Sequence, residues 1–231
     1  RLYAGKPVVI KPKSTNFGLG ITILKHNYDE TDFKAALQIA FEHDNTVLIE
    51  KFIPGREFRI FIINDEVVGI LHRVPANVTG DGVLNIGQLI DMKNEDPLRG
   101  KGYRTPLEKI RKGREEEMFL KQQGMDFNTV PKEREVVYLR ENSNISTGGD
   151  SIDFTDDIDD SYKAIAVEAA KALNVKITGL DMMIQDIHAP ATPDNYAIIE
   201  MNFNPAIHIH CYPFKGKNRH LNHKMIKALG F

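Results

Sequence analysis

Two stretches near the C-terminal end constrain this chain more than anything before them: Thr178–Ile187, TGLDMMIQDI, and Tyr196–Pro205, YAIIEMNFNP. Both read as buried strands, apolar and β-branched, and both carry an acid where an acid is costly. Residues two apart on a strand share a face, so Glu200 and Asn202 project side by side, and Asp181 interrupts the first run in the same way. Two carboxylates on adjacent buried strands repel by about 4 kcal/mol at a separation of ~4 Å and an effective dielectric of about 20. A hard cation removes that cost. Oxygen ligands from Asp, Glu and Asn suit Mg²⁺ shared with substrate phosphates better than zinc. The plainer alternatives are that the acids lie on the surface of an edge strand, or pair with an arginine.

At the other end, Pro7–Pro12 (PVVIKP) reads as a short buried strand ending at Lys11, followed by Lys13–Gly20 (KSTNFGLG). Gly18 and Gly20 allow positive φ or close approach of a ligand. The hydroxyls of Ser14 and Thr15 and the loop N–H groups form an anion-binding concavity, to which Lys11 adds a point charge. The G-x-x-x-x-G-K-[ST] spacing of a P-loop is absent, and a plain glycine hairpin is the alternative. Ile21–Leu24 is the return strand, and Asp29–Asp44 is a helix with Phe33, Ala36, Leu37, Ala40 and Phe41 as its apolar stripe. Three strands follow, Val47–Phe52, Glu57–Asn64 and Val67–Val74, with turns at Pro54-Gly55 and Asn64-Asp65. Glu50, Glu57, Arg59 and Arg73 sit in or beside these strands, where they either pair with one another or line a polar cleft.

Farther on, Leu84–Lys93 is a short helix, and the basic, turn-rich Glu95–Arg114 reads as a solvated face. Glu115–Gln123 reads as a helix and Glu135–Arg140 as a strand. The loop Glu141–Asp150 (ENSNISTGGD) is dense in donors, and its Gly148-Gly149 pair is a second place where a phosphate or carboxylate could meet the backbone. A helix from Asp159 or Ser161 to about Leu173 precedes the two acidic strands, and His220–Leu229 closes the chain as a helix. Strands and loops with late helices, rather than regular βαβ alternation, give an α+β fold. A small lid-like part over residues 1–47 and a larger body over 48–231 are expected.

Composition narrows the function classes. The 231 residues can bury a sizeable core, as one large domain or two small ones. A net charge of −2 gives no reason to expect nucleic acid or an anionic membrane as partner. No apolar run approaches the ~20 residues of a membrane span, and no signal peptide is visible. The single cysteine, Cys211, excludes an internal disulfide framework and fits a reducing, cytoplasmic setting. A chain that begins at Arg1 and enters a strand within a few residues reads as a piece of a longer protein.

Taken together and in order, the motifs VVIKPKSTNFGLGI, LIEKFIPGREFRIFI, HRVPANVTGDG, DPLRGKGYRTPLEKI, LRENSNISTGGDSIDFTD, GLDMMI and IEMNFNPAIHIHCYPF resemble the ATP-grasp module of the bacterial bifunctional glutamate–cysteine ligase/glutathione synthetases. The resemblance covers essentially the whole chain. The ATP-grasp domain of cyanophycin synthetases is the next nearest likeness, but there a glycine-containing motif is expected in place of Asn204-Pro205-Ala206. The resemblance implies an ATP-grasp fold, in which two α+β lobes grip ATP, with the N-terminal lobe of that fold and the ligase module outside this chain. It implies that Lys11 contacts the α- and β-phosphates, and that the loop with Ser14, Gly18 and Gly20 closes over them. It implies that Glu50 and the backbone from Lys51 to Ile53 read adenine, and that Glu57 takes the ribose hydroxyls. Asp181, Glu200 and Asn202 would hold Mg²⁺, with Mn²⁺ as a substitute. Arg73, Arg140 and Asn142 would contact phosphate and the acyl phosphate, and Thr147–Gly149 would lie near the peptide substrate. The implied reaction joins γ-glutamylcysteine to glycine at the expense of ATP, with these small molecules as partners and a homodimer as one arrangement.

Two other readings stay open on the sequence. One is a cyanophycin-type ligase that adds Asp or Arg to a peptide. The other is a non-catalytic metal-binding module built on His208, His210, Cys211, His220 and His223, although the usual CxxC or HExxH spacing of a zinc site is missing.

Overall fold

The computed structural model describes residues 5–15, 19–25 and 28–231. These form two compact units, Arg1–Pro54 and Gly55–Phe231. The first contains β1 (Val8–Pro12), β2 (Thr22–Leu24), α1 (Glu30–Phe41) and β3 (Val47–Lys51). β1 is the central strand of an antiparallel sheet of order β2-β1-β3. Val8 and Ile10 point from it onto Ala36 and Ala40 of the helix to make a small core. The helix starts where it does because the Asp29 carboxylate accepts the N–H groups of Thr31 and Asp32 at 2.7 and 2.9 Å, while Asp32 reaches back to the Asp29 N–H. The boundary falls after Pro54, later than the expected division at residue 47, because β3 is bonded to β1 along its whole length.

The second unit runs β4 (Arg56–Ile63), β5 (Glu66–Val74), β6 (Asn77–Thr79), α2 (Ile86–Lys93), β7 (Arg99–Gly100), β8 (Leu107–Glu108), α3 (Arg114–Gln122), β9 (Val136–Tyr138), β10 (Asp150–Asp153), α4 (Asp160–Ala172), β11 (Ile177–Ile184), β12 (Tyr196–Asn202), α5 (His208–Cys211) and α6 (Leu221–Ala228). Its main sheet is antiparallel throughout, in the order β10-β5-β4-β11-β12. Period-two alternation sorts the two faces. Phe58, Ile60 and Ile62 of β4, with Leu180, Met182 and Ile184 of β11, pack against Tyr162, Ala166 and Ala170 of α4. On the opposite face, Phe61, Ile63 and Val68 are covered by Cys211 and Leu221 of the last two helices. A satellite core joins α2, α3, β6 and β9 through Ile86, Leu89, Ile90, Leu120, Val78 and Val137.

Two expectations are corrected. The strand Tyr196–Asn202 is not buried: it lies at the sheet's edge, and Ile198, Ile199 and Glu200 are exposed. Nor is Glu95–Arg114 simply a solvated face. It folds into the paired strands β7 and β8, and Arg99, Leu107 and Ile110 are buried.

Two buried histidines link this packing to pH. His210 is fully buried with its ring edge-on to Phe61, and neither ring nitrogen has a partner. Its Nδ1 would lie 2.9 Å from a β-carbon at position 69, so Gly69 leaves the imidazole its room. Burial, reinforced by Arg59, holds its pKa down at about 3, and burial with Arg56 holds that of His72 at about 4. Both rings are therefore neutral in the native state, whereas the unfolded chain binds those protons below its ordinary histidine pKa of about 6.5. Stability from this source is complete above pH ~6.5 and declines as pH falls, toward about 4 for His72 and about 3 for His210. Urea unfolding at a series of pH values checks this: the midpoint should drop with acid across that window, and less steeply in His210→Leu. Equal slopes for the two proteins would exclude His210 as a source.

Candidate functional site

One end of the sheet face that carries Phe61 is polar. In register across three strands, Arg59 of β4 lies opposite Asp181 of β11, and Asp181 lies opposite Glu200 of β12. Asn202, two residues on, shares that face and donates from Nδ2 to Glu200 Oε1 at 3.1 Å. A β-bulge between Asp181 and Met182 accommodates Ile199 as an extra residue and keeps the two acids opposite each other. The carboxylates are thus neighbours, as the strand spacing predicts.

The charge balance is different from the expected pair of repelling acids. Asp181 is 1% exposed, and a two-pronged ion pair binds it to Arg59, whose Nη2 donates to Oδ2 at 2.9 Å. Arg73 Nη2 also donates to Oδ2, at 2.8 Å. Burial alone would raise the Asp181 pKa, but the bond from Arg59 and the charge of Arg73 outweigh it and hold the carboxyl below its ordinary value. Burial acts against the Arg59 cation too, and Asp181 again outweighs it, so that pKa is raised. Arg73 is shared with Glu57, and Glu57 in turn accepts the Ser143 hydroxyl. Arg73 Nε is buried without an acceptor, an unused donor at the heart of the cluster.

Local packing makes this arrangement achievable. Gly179 lies on the same face, and a β-carbon there would come within 3.0 Å of Arg59 Cδ and 2.7 Å of Pro205 Cβ. The guanidinium reaches Asp181 through space that only glycine leaves open.

The other expected residues fall into separate places. In the first unit, Lys11 and Glu50 form an ion pair at 2.7 Å across β1 and β3. Ser14 donates its backbone N–H to Asp44 Oδ2 at 2.8 Å, and Thr15 Oγ1 donates to the Leu19 carbonyl at 3.0 Å. Gly20 has φ +74° and sits so tightly on Pro12 and His43 that a β-carbon would come within 2.7 Å of either. Gly18 lies outside the described residues. Lys51 is exposed at the end of β3, and Ile53 is half-buried. A cavity of about 380 Å³ between β2 and α1, bordered by Thr22, Tyr28 and Ile39, contains none of the expected residues.

In the second unit, Arg140 is engaged away from the Asp181 cluster. Its guanidinium pairs with Glu115 and with the fully buried Glu116, the latter at 2.6 Å. Asn142 turns inward, accepting the Thr147 hydroxyl at 2.9 Å. Arg59 stands out in the sequence as a charge within a strand, yet the sequence alone gives it no place in the site. Its signal is an arginine inside an apolar run, on the same face as Glu57. Ser143 leaves no such signal, because its contact depends on a loop path.

The histidine cluster does not assemble a metal site. Among the described residues no group of three or more His, Cys, Asp or Glu side chains is placed to hold a metal ion. His220 and His223 stack edge to face at 6.0 Å, and Cys211 Sγ faces Asn222 Oδ1 at 3.8 Å. The Asp181, Glu200 and Asn202 set offers two carboxylates and a carboxamide, all hard oxygen donors suited to Mg²⁺ or Mn²⁺. Glu200 and Asn202 are free of ion pairs to cations among the described residues, while both Asp181 oxygens already accept from arginines.

Comparison with known proteins gives this geometry a lineage. The family model described as the D-ala D-ala ligase C-terminus matches residues 3–88. Over 229 residues, 99% of the chain, it is 63% identical to the bifunctional glutathione biosynthesis protein GshAB of Desulfotalea psychrophila. It is 57% identical to the protein of that name from Clostridium perfringens over the same length. In each case it spans 29% of the relative's length. The crystal structure of a bifunctional glutathione synthetase from Pasteurella multocida superposes with a TM-score of 0.75 at 48% identity, covering 98% of this chain and 31% of that one. No helix among the described residues is long and apolar enough to cross a membrane. The chain has the ATP-grasp fold, and over nearly its whole length it is similar to one part of the bifunctional glutathione biosynthesis proteins.

Proposed function

We propose that this chain supplies the peptide-bond-forming part of glutathione synthesis, joining the carboxylate of γ-glutamylcysteine to the amine of glycine with conversion of ATP to ADP and phosphate. The observation that carries the reading is the Asp181 cluster: two carboxylates and a carboxamide on adjacent strands, beside an arginine with an unused buried donor. The likeness to proteins named for glutathione biosynthesis supports the choice of substrates. The chain spans less than a third of those relatives, so the activity is assigned to the full-length translation product, in the cytoplasm.

An unactivated carboxylate does not react with an amine at neutral pH. In the proposed reaction a carboxylate oxygen attacks the γ-phosphorus of ATP, and the bond to the bridging oxygen breaks to release ADP. The amine of glycine then attacks the acyl phosphate, gives up a proton, and the tetrahedral intermediate collapses with loss of phosphate. Such chemistry asks the protein for positioning and charge neutralisation rather than for a nucleophile. Arg73 is suited to the transferring phosphoryl group, since its Nε lacks an acceptor. Arg59 keeps Asp181 ionised and fixed. Glu200 and Asn202, with Asp181, would hold the divalent ion, which when bound neutralises phosphate charge. In the first unit, Lys11 and the loop carrying Ser14, Gly18 and Gly20 are proposed for the phosphates, and Glu50, Lys51 and Ile53 for adenine. Glu57 is proposed for the ribose. Arg140 and Asn142, held by Glu115, Glu116 and Thr147, complete the proposed set.

The full-length product, given ATP, Mg²⁺, γ-glutamylcysteine and glycine, should form glutathione, seen by mass, with stoichiometric ADP and phosphate. Transfer of Asp or Arg to a peptide instead would favour the cyanophycin-type reading. No nucleotide turnover with any of these substrates would overturn the ligase assignment.

A sharper test separates chemistry from folding. Glu200 is exposed on an edge strand and accepts from Asn202, so Glu200→Gln should leave the thermal midpoint unchanged. It should nevertheless raise the Mg²⁺ concentration needed for half-maximal activity by roughly 10-fold or more. An unchanged metal requirement would remove Glu200 from the ligand set.

A further inference from the structure

The segment Glu95–Arg114 takes no role from its sequence, yet it contributes a cation set deep in the second unit. The Arg99 side chain is fully buried, and its guanidinium forms an ion pair with Asp150, itself 4% exposed. Its Nη1 donates to the carbonyls of Glu108 at 2.9 Å and Gly148 at 3.0 Å. Lys93, from the end of α2, donates to Asp150 Oδ2 at 2.7 Å and to Asn77 Oδ1 at 3.0 Å. Asn77 returns a bond from Nδ2 to Asp150 Oδ2 at 3.0 Å. The ring of Phe214 covers both cations, 5.1 Å from Lys93 Nζ and 5.3 Å from Arg99 Cζ.

This network lies at the end of the loop Glu141–Asp150, whose other half touches the Asp181 cluster through the Ser143 bond to Glu57. Asp150 pairs with Val74 in the β10–β5 ladder, one residue from Arg73. The loop is also pressed against Ile110, since a β-carbon at Gly148, where φ is +93°, would come within 2.8 Å of Ile110 Cα. Ile110 is itself fixed by two 2.8 Å bonds with the Asn94 side chain. Burying two cations and a carboxylate is a poor way to gain stability, because an apolar cluster of the same volume usually does as well. The geometric return is larger: a planar guanidinium holds two carbonyls and a carboxylate in a fixed fork, whereas an ammonium is a rotatable point charge.

We propose that Arg99 and Asp150 are positioning residues that fix the Glu141–Asp150 loop as a wall of the Asp181 cluster, and so set the fit of the substrates that meet that cluster. The proposal rests on the ligase reading above. Arg99→Lys keeps the charge and loses the fork. In the full-length product it should accelerate amide hydrogen exchange within residues 142–149 while leaving β11 and β12 protected. It should raise the KM for at least one of the substrates that meet the cluster about tenfold. Asp150→Asn should shift the same quantities in the same direction.

A role in folding alone would instead lower kcat through loss of active protein and leave every KM in place, and that result would overturn the proposal. Unchanged exchange in residues 142–149 would overturn it as well. Should Arg99→Lys fail to fold, Phe214→Leu keeps all the ion pairs and loosens only their cover; the same exchange and KM changes are then expected of it, and their absence counts equally against the proposal. If the unaltered protein joins no substrates, the ligase reading fails separately, and the exchange measurement still decides whether the lock holds the loop.

Discussion

A carboxylate with almost no access to water needs compensation from the protein, and Asp181 receives it from two arginines of the same sheet. That requirement organises the polar half of the sheet. Arg59 must lie directly across the ladder from Asp181, so the register of β4 on β11 is fixed by charge as well as by the apolar residues behind it. Arg73 must reach the same oxygen from β5, and in doing so it ties Glu57 and the Ser143 loop to the cluster. Loss of either arginine would leave a buried charge under-compensated, which is among the few single changes that cost several kcal/mol.

The main sheet keeps this electrostatic assembly apart from its hydrophobic one by alternation. The face toward α4 is largely apolar, with Phe58, Ile60, Leu180 and Met182. The other face is divided lengthwise, apolar where Phe61 and Ile63 meet the final helices and polar where Glu57, Arg59 and Arg73 gather. A rigid, fully antiparallel scaffold thus presents charged groups with side-chain positions set by strand geometry rather than by loop conformation.

Much of this is legible in the sequence, and the parts that are not share a cause. The helix at Glu30 announces itself through Asp29, and the strands through β-branched runs with turn residues between them. The shared face of Glu200 and Asn202 follows from period two alone. What periodicity cannot supply is sheet order. Burial of the Tyr196–Asn202 strand depends on whether another strand lies beyond it, and its apolar letters are the same either way. Charge neutralisation is hidden for the same reason: an acid and an arginine 122 positions apart in sequence meet through non-local pairing. The basic run at Glu95–Arg114 looks solvated because composition does not reveal that Asp150 waits for one of its arginines.

The bare backbone at Gly179 carries a consequence out of proportion to its size. It contributes no hydrogen-bonding side chain, no charge and almost no apolar surface, yet a β-carbon there would sit 2.7 Å from Pro205 Cβ and 3.0 Å from Arg59 Cδ, so both neighbours would have to give way. An alanine there would barely alter hydropathy or strand preference. Part of its cost would be electrostatic, because Arg59, the neighbour it crowds beside Pro205, is a counter-charge of Asp181. The tolerance of this charged cluster to mutation is therefore governed in part by a residue with no chemistry of its own, whose contribution is an absence of atoms.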